Sequence, residues 1–178
     1  MGLVFWFTGL SGAGKTTIAE KAAAELKQSD LKVAIIDGDD VRARLHRHLG
    51  FTRDDILENN RLISELCVEA LPENDAVFAP VISPLEAGRI AARNRIASRF
   101  RLIYFSAPLD FVSDADVKGL YQRARTGQIN NMIGVAESNP YEFPNDADLE
   151  IDISQNDEAG CIECLKTFVT RELNGNAN

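Results

Sequence analysis

The chain has 178 residues, 45% hydrophobic and 26% charged, with a formal net charge of −8. That length supports one domain with a sizeable core, and the acidic balance argues against a general nucleic-acid or anionic-membrane surface. No stretch is long and apolar enough to span a bilayer, and no basic region opens a signal peptide. The three cysteines fit a reducing cytoplasm, and Met1 just before the first apolar run suggests a free-standing chain.

The apolar run Leu3 to Phe7 predicts a buried strand. It leads into Gly9-Leu10-Ser11-Gly12-Ala13-Gly14-Lys15-Thr16, which fits GxxxxGK[ST], and a helix is predicted from Thr17 to Lys27. Strand, glycine loop and helix in that order are the setting of a phosphate cradle. Glycines let successive backbone N–H groups curl around an anion, and a helix N-terminus adds about half a positive charge. Gly9, Ser11, Gly12, Ala13, Gly14, Lys15, Thr16 and Thr17 are therefore the candidate nucleotide ligands. Lys15 can reach the β- and γ-phosphates and the Thr16 hydroxyl can hold Mg²⁺. A nucleoside triphosphate, ATP with Mg²⁺, is the expected cofactor.

Further along, Lys32 to Ile36 reads as a second strand ending at Asp37-Gly38-Asp39-Asp40, with a short helix from Val41 to His48. Thr52 and Asp55 form an approximate capping box for a helix reaching Leu71. Ala76 to Ile82 is the third predicted strand, Pro84 to Arg99 a helix, and Leu102 to Phe105 the fourth strand. A helical stretch from Leu109 to Arg125 gives way to a loop rich in Gly, Asn and Pro. Leu149 to Ile151 is the last strand, Glu158 to Leu173 the closing helix, and residues 174–178 are expected to be a disordered tail. Cys161 and Cys164 form C-x-x-C, but Cys161, Leu165 and Phe168 share one helical face, which favours packing over metal or redox chemistry. The alternation predicts an α/β fold, doubly wound around a mostly parallel five-stranded sheet, in one domain over residues 1–173.

In such a sheet, ligands bind beyond the carboxyl ends of the strands. The glycine loop follows strand one, Asp37 and Asp39 follow strand two, and Ser83 follows strand three. An Asn-Lys-x-Asp base-reading motif is absent, and strand three ends in Ile82-Ser83-Pro84 rather than in acids. This excludes a switch GTPase and a motor-type ATPase and leaves a small kinase for a small-molecule hydroxyl. The bland alternative for Asp37 and Asp39 is an acidic turn that caps the next helix.

Several segments resemble the adenylyl-sulfate (APS) kinase family over nearly the whole chain. They are Asp37-Gly38-Asp39-Asp40-Val41-Arg42, Leu49-Gly50-Phe51-Thr52, Glu58-Asn59 with Arg61, Ile82-Ser83-Pro84, Lys118-Gly119-Leu120-Tyr121, and Pro140-Tyr141-Glu142 with Pro144. The resemblance implies transfer of the ATP γ-phosphate to the 3′-hydroxyl of APS. It makes Asp39 the general base or a Mg²⁺ partner alongside Thr16, with Asp37 arranging the metal and Lys15 the phosphates. It also implies that Arg42, Phe51, Asn59, Arg61, Ile82, Ser83, Lys118, Leu120 and Met132 meet substrate, Phe51 by stacking on a base. Ser83 carries the further implication of being phosphorylated in some members. A nucleotide substrate and a homodimer are the implied partners.

Departures cluster where the acceptor is chosen. The family's Asp-Arg-x-Glu-Asn-Ile-Arg-Arg reads Asp55-Ile56-Leu57-Glu58-Asn59-Asn60-Arg61-Leu62, so Ile56 and Leu62 replace arginines. Met132 stands for a phenylalanine, Ala115 for an arginine before the lid, and Gly88 for an aspartate. Two alternatives stay open: a sister kinase for another nucleotide-linked or sugar-like hydroxyl, and a nucleotide-binding regulatory protein with little catalysis.

Overall fold

A computed structural model describes residues 2–116 and 119–175. Its five strands are β1 Leu3–Thr8, β2 Val33–Ile35, β3 Ala76–Ala79, β4 Phe100–Ser106 and β5 Leu149–Asp152. They pair in parallel in the order β2-β3-β1-β4-β5. The helices are α1 Lys15–Lys27, α2 Gly38–Arg44, α3 Arg53–Ala70, α4 Glu86–Ile96, α5 Leu109–Ala115, α6 Leu120–Arg125 and α7 Glu158–Gly175.

All six residues of β1 are buried, because the sheet is covered on both faces. Leu3, Phe5 and Phe7 pack with Ile18, Ala22 and Leu26 of α1 and with Leu165 and Phe168 of α7. Val4 and Trp6 pack with Ile63 and Cys67 of α3 and with Ala92 and Ile96 of α4. The alternation of one strand thus divides the core into two halves. Cys67 lies deep in one half, and burial pushes its thiol pKa up to about 12. Cys161 packs in the other half with Leu165 and Phe168, while Cys164 is exposed.

Several element ends differ from the sequence expectation. β3 stops at Ala79, because Pro80 offers no N–H to continue the ladder. α2 begins at Gly38 rather than Val41, since the Asp37 carboxylate accepts from the N–H groups of Asp39 (2.8 Å) and Asp40 (3.1 Å). The stretch from Leu109 to Arg125 is two helices, with Asp116 (φ 24°) ending the first and Gly119 (φ 63°) preceding the second. α7 continues to Gly175, so Asn174 and Gly175 close a helix instead of opening a tail.

Thr52 caps α3 through a full capping box: the Asp55 N–H donates to Thr52 Oγ1 and the Thr52 N–H to Asp55 Oδ2, both at 3.2 Å. Thr52→Ala is expected to lower stability by about 1 kcal/mol, seen as a fall in Tm of roughly 2–4 °C in a thermal melt.

Candidate active site

The carboxyl ends of β1, β2 and β3 open onto one cavity of about 850 Å³. The loop from Ser11 to Thr17 forms one wall, Asp37, Asp39, Arg42 and Phe51 another, and Asn59, Asn60, Ile82 and Ser83 a third, with the Gly9 N–H donating to the Ile82 carbonyl at 3.3 Å. The volume falls in the range that encloses small ligands.

Backbone geometry explains the glycine loop. Gly9 (φ 150°) passes so close to β4 that a Cβ there would lie 2.5 Å from the Phe105 carbonyl oxygen. Gly14 adopts φ 70° and turns the chain into α1, whose first turn carries no acid. The N-terminal N–H groups of α1 thus meet the cavity with no acid of the helix's own first turn beside them, which favours an anion there. The Lys15 ammonium donates to the carbonyls of Gly9 (2.8 Å) and Leu10 (2.7 Å), which holds it over the loop. Gly9 itself does not line the cavity; its part is to let the strand pass and to hold Lys15.

Asp37 ties two walls together. Its Oδ2 accepts from Thr16 Oγ1 at 2.6 Å, while Oδ1 caps α2. With its proton committed to Asp37, the Thr16 hydroxyl keeps lone pairs for a hard cation. Asp39, in the first turn of α2, is exposed and lines the same cavity. Together these oxygens fit Mg²⁺, which is held by one or two protein oxygens plus phosphates and water.

Arg42 bridges the second wall. It donates to the carbonyls of Leu49 (3.2 Å) and Gly50 (2.5 Å), and its guanidinium lies 4.7 Å from the centre of the Phe51 ring. Burial lowers the Arg42 pKa from its ordinary value, an effect that Asp39 and Asp55 oppose. The Phe51 side chain is 46% exposed and faces the cavity mouth. Its carbonyl is fixed by Asn139 Nδ2 at 3.0 Å, and the same nitrogen donates to Asn131. Asn59 Oδ1 pairs with His46 Nδ1 at 2.9 Å in a buried contact.

Some expected site residues stand elsewhere. Arg61 donates to both carboxylate oxygens of Glu58 at 2.8 Å and to Glu65 at 2.6 Å, so acids of its own helix hold it away from the cavity. Met132 is buried in the core, and the neighbouring Ile133 lines the cavity instead. Leu120 packs against the same core. Lys118 lies outside the described residues. Among the two replaced arginines, Ile56 lines the cavity and Leu62 does not.

Other residues support the site without having been singled out from the sequence. The Tyr121 hydroxyl donates to the Ser11 carbonyl at 2.9 Å, and burial, with a smaller push from Asp116, raises its pKa to about 12. The Tyr141 hydroxyl shares a 2.8 Å hydrogen bond with Thr8. Arg89, buried in α4, donates to the carbonyls of Ser83 (2.9 Å) and Glu142 (2.8 Å). The signal available for Tyr121 and Tyr141 was their place in the Lys-Gly-Leu-Tyr and Pro-Tyr-Glu segments, in which neither was given a role of its own; no motif marked Arg89.

A parallel sheet in this order, a glycine loop running into α1 and acids after β2 define a P-loop phosphotransferase. Residues 1–152 match the family described as Adenylylsulphate kinase. The adenylyl-sulfate kinase of Halothermothrix orenii is 46% identical over 84% of this chain and 80% of its own length. The probable adenylyl-sulfate kinase of Bacillus subtilis is 38% identical over 96% and 86%. The solved Mycobacterium tuberculosis APS kinase, in complex with AMPPNP and APS, superposes with a TM-score of 0.87 at 31% identity, covering 95% of this chain and 98% of that one. A Sinorhizobium meliloti gluconokinase, at 16% identity and a TM-score of 0.65, shares the fold alone. The chain belongs to the adenylylsulphate kinase family and is a phosphotransferase acting on a hydroxyl group. Among the described residues, no helix is long and apolar enough to cross a membrane.

Proposed function

We propose that the chain transfers the γ-phosphate of ATP to the 3′-hydroxyl of adenylyl sulfate, giving 3′-phosphoadenylyl sulfate. One observation carries this reading: the phosphate loop, Asp39 and the pair Arg42–Phe51 line a single cavity. In it the triphosphate lies on the loop and the N-terminus of α1, with Lys15 beside the β- and γ-phosphates. Mg²⁺, held by Thr16 and Asp39, would neutralise charge on the phosphates. Asp37 accepts the hydrogen bond of the Thr16 hydroxyl, which would leave that oxygen's lone pairs for the ion, and holds the start of α2 in place. At the other end, Phe51 and Arg42 receive the acceptor's adenine and Asn59 its polar edge. As the 3′-oxygen bonds to the γ-phosphorus, its proton passes to Asp39 and the bond to the β–γ bridging oxygen breaks, releasing ADP. Ser83 serves as a contact at the acceptor end rather than as a phosphate carrier, since its hydroxyl is buried and already bonded to Asn60.

Ile56 favours keeping a second reading, a sister kinase for another nucleotide-linked hydroxyl, because it puts an apolar side chain where the family has an arginine. Coupled ADP release with Mg²⁺ATP against adenylyl sulfate, AMP, cytidine nucleotides and simple sugars separates the two. Turnover with micromolar adenylyl sulfate is the expected result; silence there, with turnover of another acceptor, would transfer the assignment to the sister kinase. Self-association belongs to the same reading, as a homodimer. One solved relative, an APS kinase from Thiobacillus denitrificans, is hexameric; at 27% identity and a TM-score of 0.69 it matches 97% of this chain and 29% of its own. A molar mass of two chains in light scattering is expected, and a mass of one chain would remove the dimer.

A further inference from the structure

We propose that Asn60 and Gly88 form one positioning device, which aims the Ser83 hydroxyl into the acceptor end of the cavity as a hydrogen-bond donor to an oxygen of the bound acceptor. The inference rests on the reading above for the identity of that acceptor, and it concerns two residues to which that reading gives no role.

Ser83 follows the end of β3 and is only 2% exposed, yet it lines the cavity together with Asn60. Asn60 Nδ2 donates to Ser83 Oγ at 2.9 Å. A serine hydroxyl has one proton and two lone pairs. With Asn60 acting as the donor, the serine proton is not used in that bond, and no other group among the described residues bonds Ser83 Oγ. The proton is left for the cavity. The backbone fixes the hydroxyl further. Ser83 has φ 43°, uncommon for a residue with a side chain. Its carbonyl is held from two sides, by Arg89 Nη1 at 2.9 Å and Thr8 Oγ1 at 3.1 Å. A strained residue persists only where its surroundings over-determine it, and such residues gather at ligand sites.

Gly88 supplies the room. It is buried inside α4, and a Cβ built on it would fall 2.7 Å from Asn60 Nδ2 and 3.4 Å from Leu57. The Asn60 carboxamide therefore reaches Ser83 through space that any larger residue at position 88 would claim. Asn60 itself is buried in α3 between Ile56 and Ile63, where a polar side chain needs a reason. The family pattern has isoleucine where Asn60 stands and aspartate where Gly88 stands. Two separate departures in the sequence thus meet in a single contact, and together they tune a hydroxyl that faces the acceptor.

The test uses Gly88→Ala, Asn60→Ala and the double variant, with the acceptor that the panel finds to be turned over. A different acceptor would end the adenylyl-sulfate reading and still leave the coupling measurable. Alanine at 88 displaces the far end of Asn60, which costs the stability of one buried hydrogen bond, offset in part because alanine is a better helix former than glycine, so at most a small fall in Tm is expected. Each single variant is expected to raise KM for the acceptor by about 3- to 10-fold, the scale of one neutral hydrogen bond, with kcat and KM for ATP little changed. The double variant should show the KM of either single one, because both remove the same contact. An unchanged KM in Gly88→Ala, or single effects that multiply in the double variant, would overturn the proposal.

Discussion

Asp39→Asn should lower kcat by about 10²- to 10⁴-fold, the usual contribution of a positioned base, while Kd for ATP measured in calorimetry without Mg²⁺ stays close to that of the unaltered chain. The substitution is nearly isosteric. It keeps the Asp39 N–H bond to Asp37 that starts α2, so the wall of the cavity survives. What is lost is the oxygen that takes the proton of the attacking hydroxyl. Asp37→Asn differs in kind, because the Asp37 carboxylate holds both Thr16 and the first turn of α2. That variant should lose thermal stability along with turnover, whereas Asp39→Asn should lose turnover alone. ATP consumption that survived Asp39→Asn would remove Asp39 from the base role. A chain with no turnover even before substitution would point to the regulatory alternative.

How far the fold could be read depended on how local its causes were. β1 and the glycine loop were legible because burial on both faces writes a continuous apolar run, and because phosphate binding fixes glycines at set spacing. The Thr52 cap was legible for the same reason, both partners lying within four residues. α2 was set three residues late, since capping by Asp37 was weighed as an alternative to its chemistry, and it does both. Site residues were legible only to the level of the segment. The motif around Asn59 names the right turn of α3, but whether Arg61 enters the cavity is decided by Glu58 and Glu65, which bind it on the outer face. Met132 and Ile133 are neighbours in one loop, and only tertiary packing decides which of them turns into the core. Asn60 was the least legible, because its meaning depends on a glycine 28 positions away in another helix.

Ile56→Arg is expected to lower KM for adenylyl sulfate by about 10- to 100-fold with KM for ATP unchanged, because a charge-assisted contact is worth about 1.5–3 kcal/mol. Ile56 is 4% exposed and lines the cavity one helical turn from Asn59 and Asn60, the turn that the proposed mechanism gives to the acceptor. A guanidinium placed there would be positioned to meet the phosphosulfate of an acceptor bound at this turn. Without substrate it would be a poorly solvated cation, which costs stability, although Asp39 and Asp40 line the same cavity and supply counter-charge. A modest fall in Tm that is recovered on adding adenylyl sulfate would therefore accompany the gain, since a ligand that binds only the folded chain raises its stability. The opposite result is equally informative. If arginine raises KM for the true acceptor, that acceptor brings no anion to this end of the cavity, and Ile56 is an apolar wall selected for something other than a phosphosulfate. The kinase machinery of the loop, Asp37 and Asp39 would stand in either case, because none of it depends on position 56.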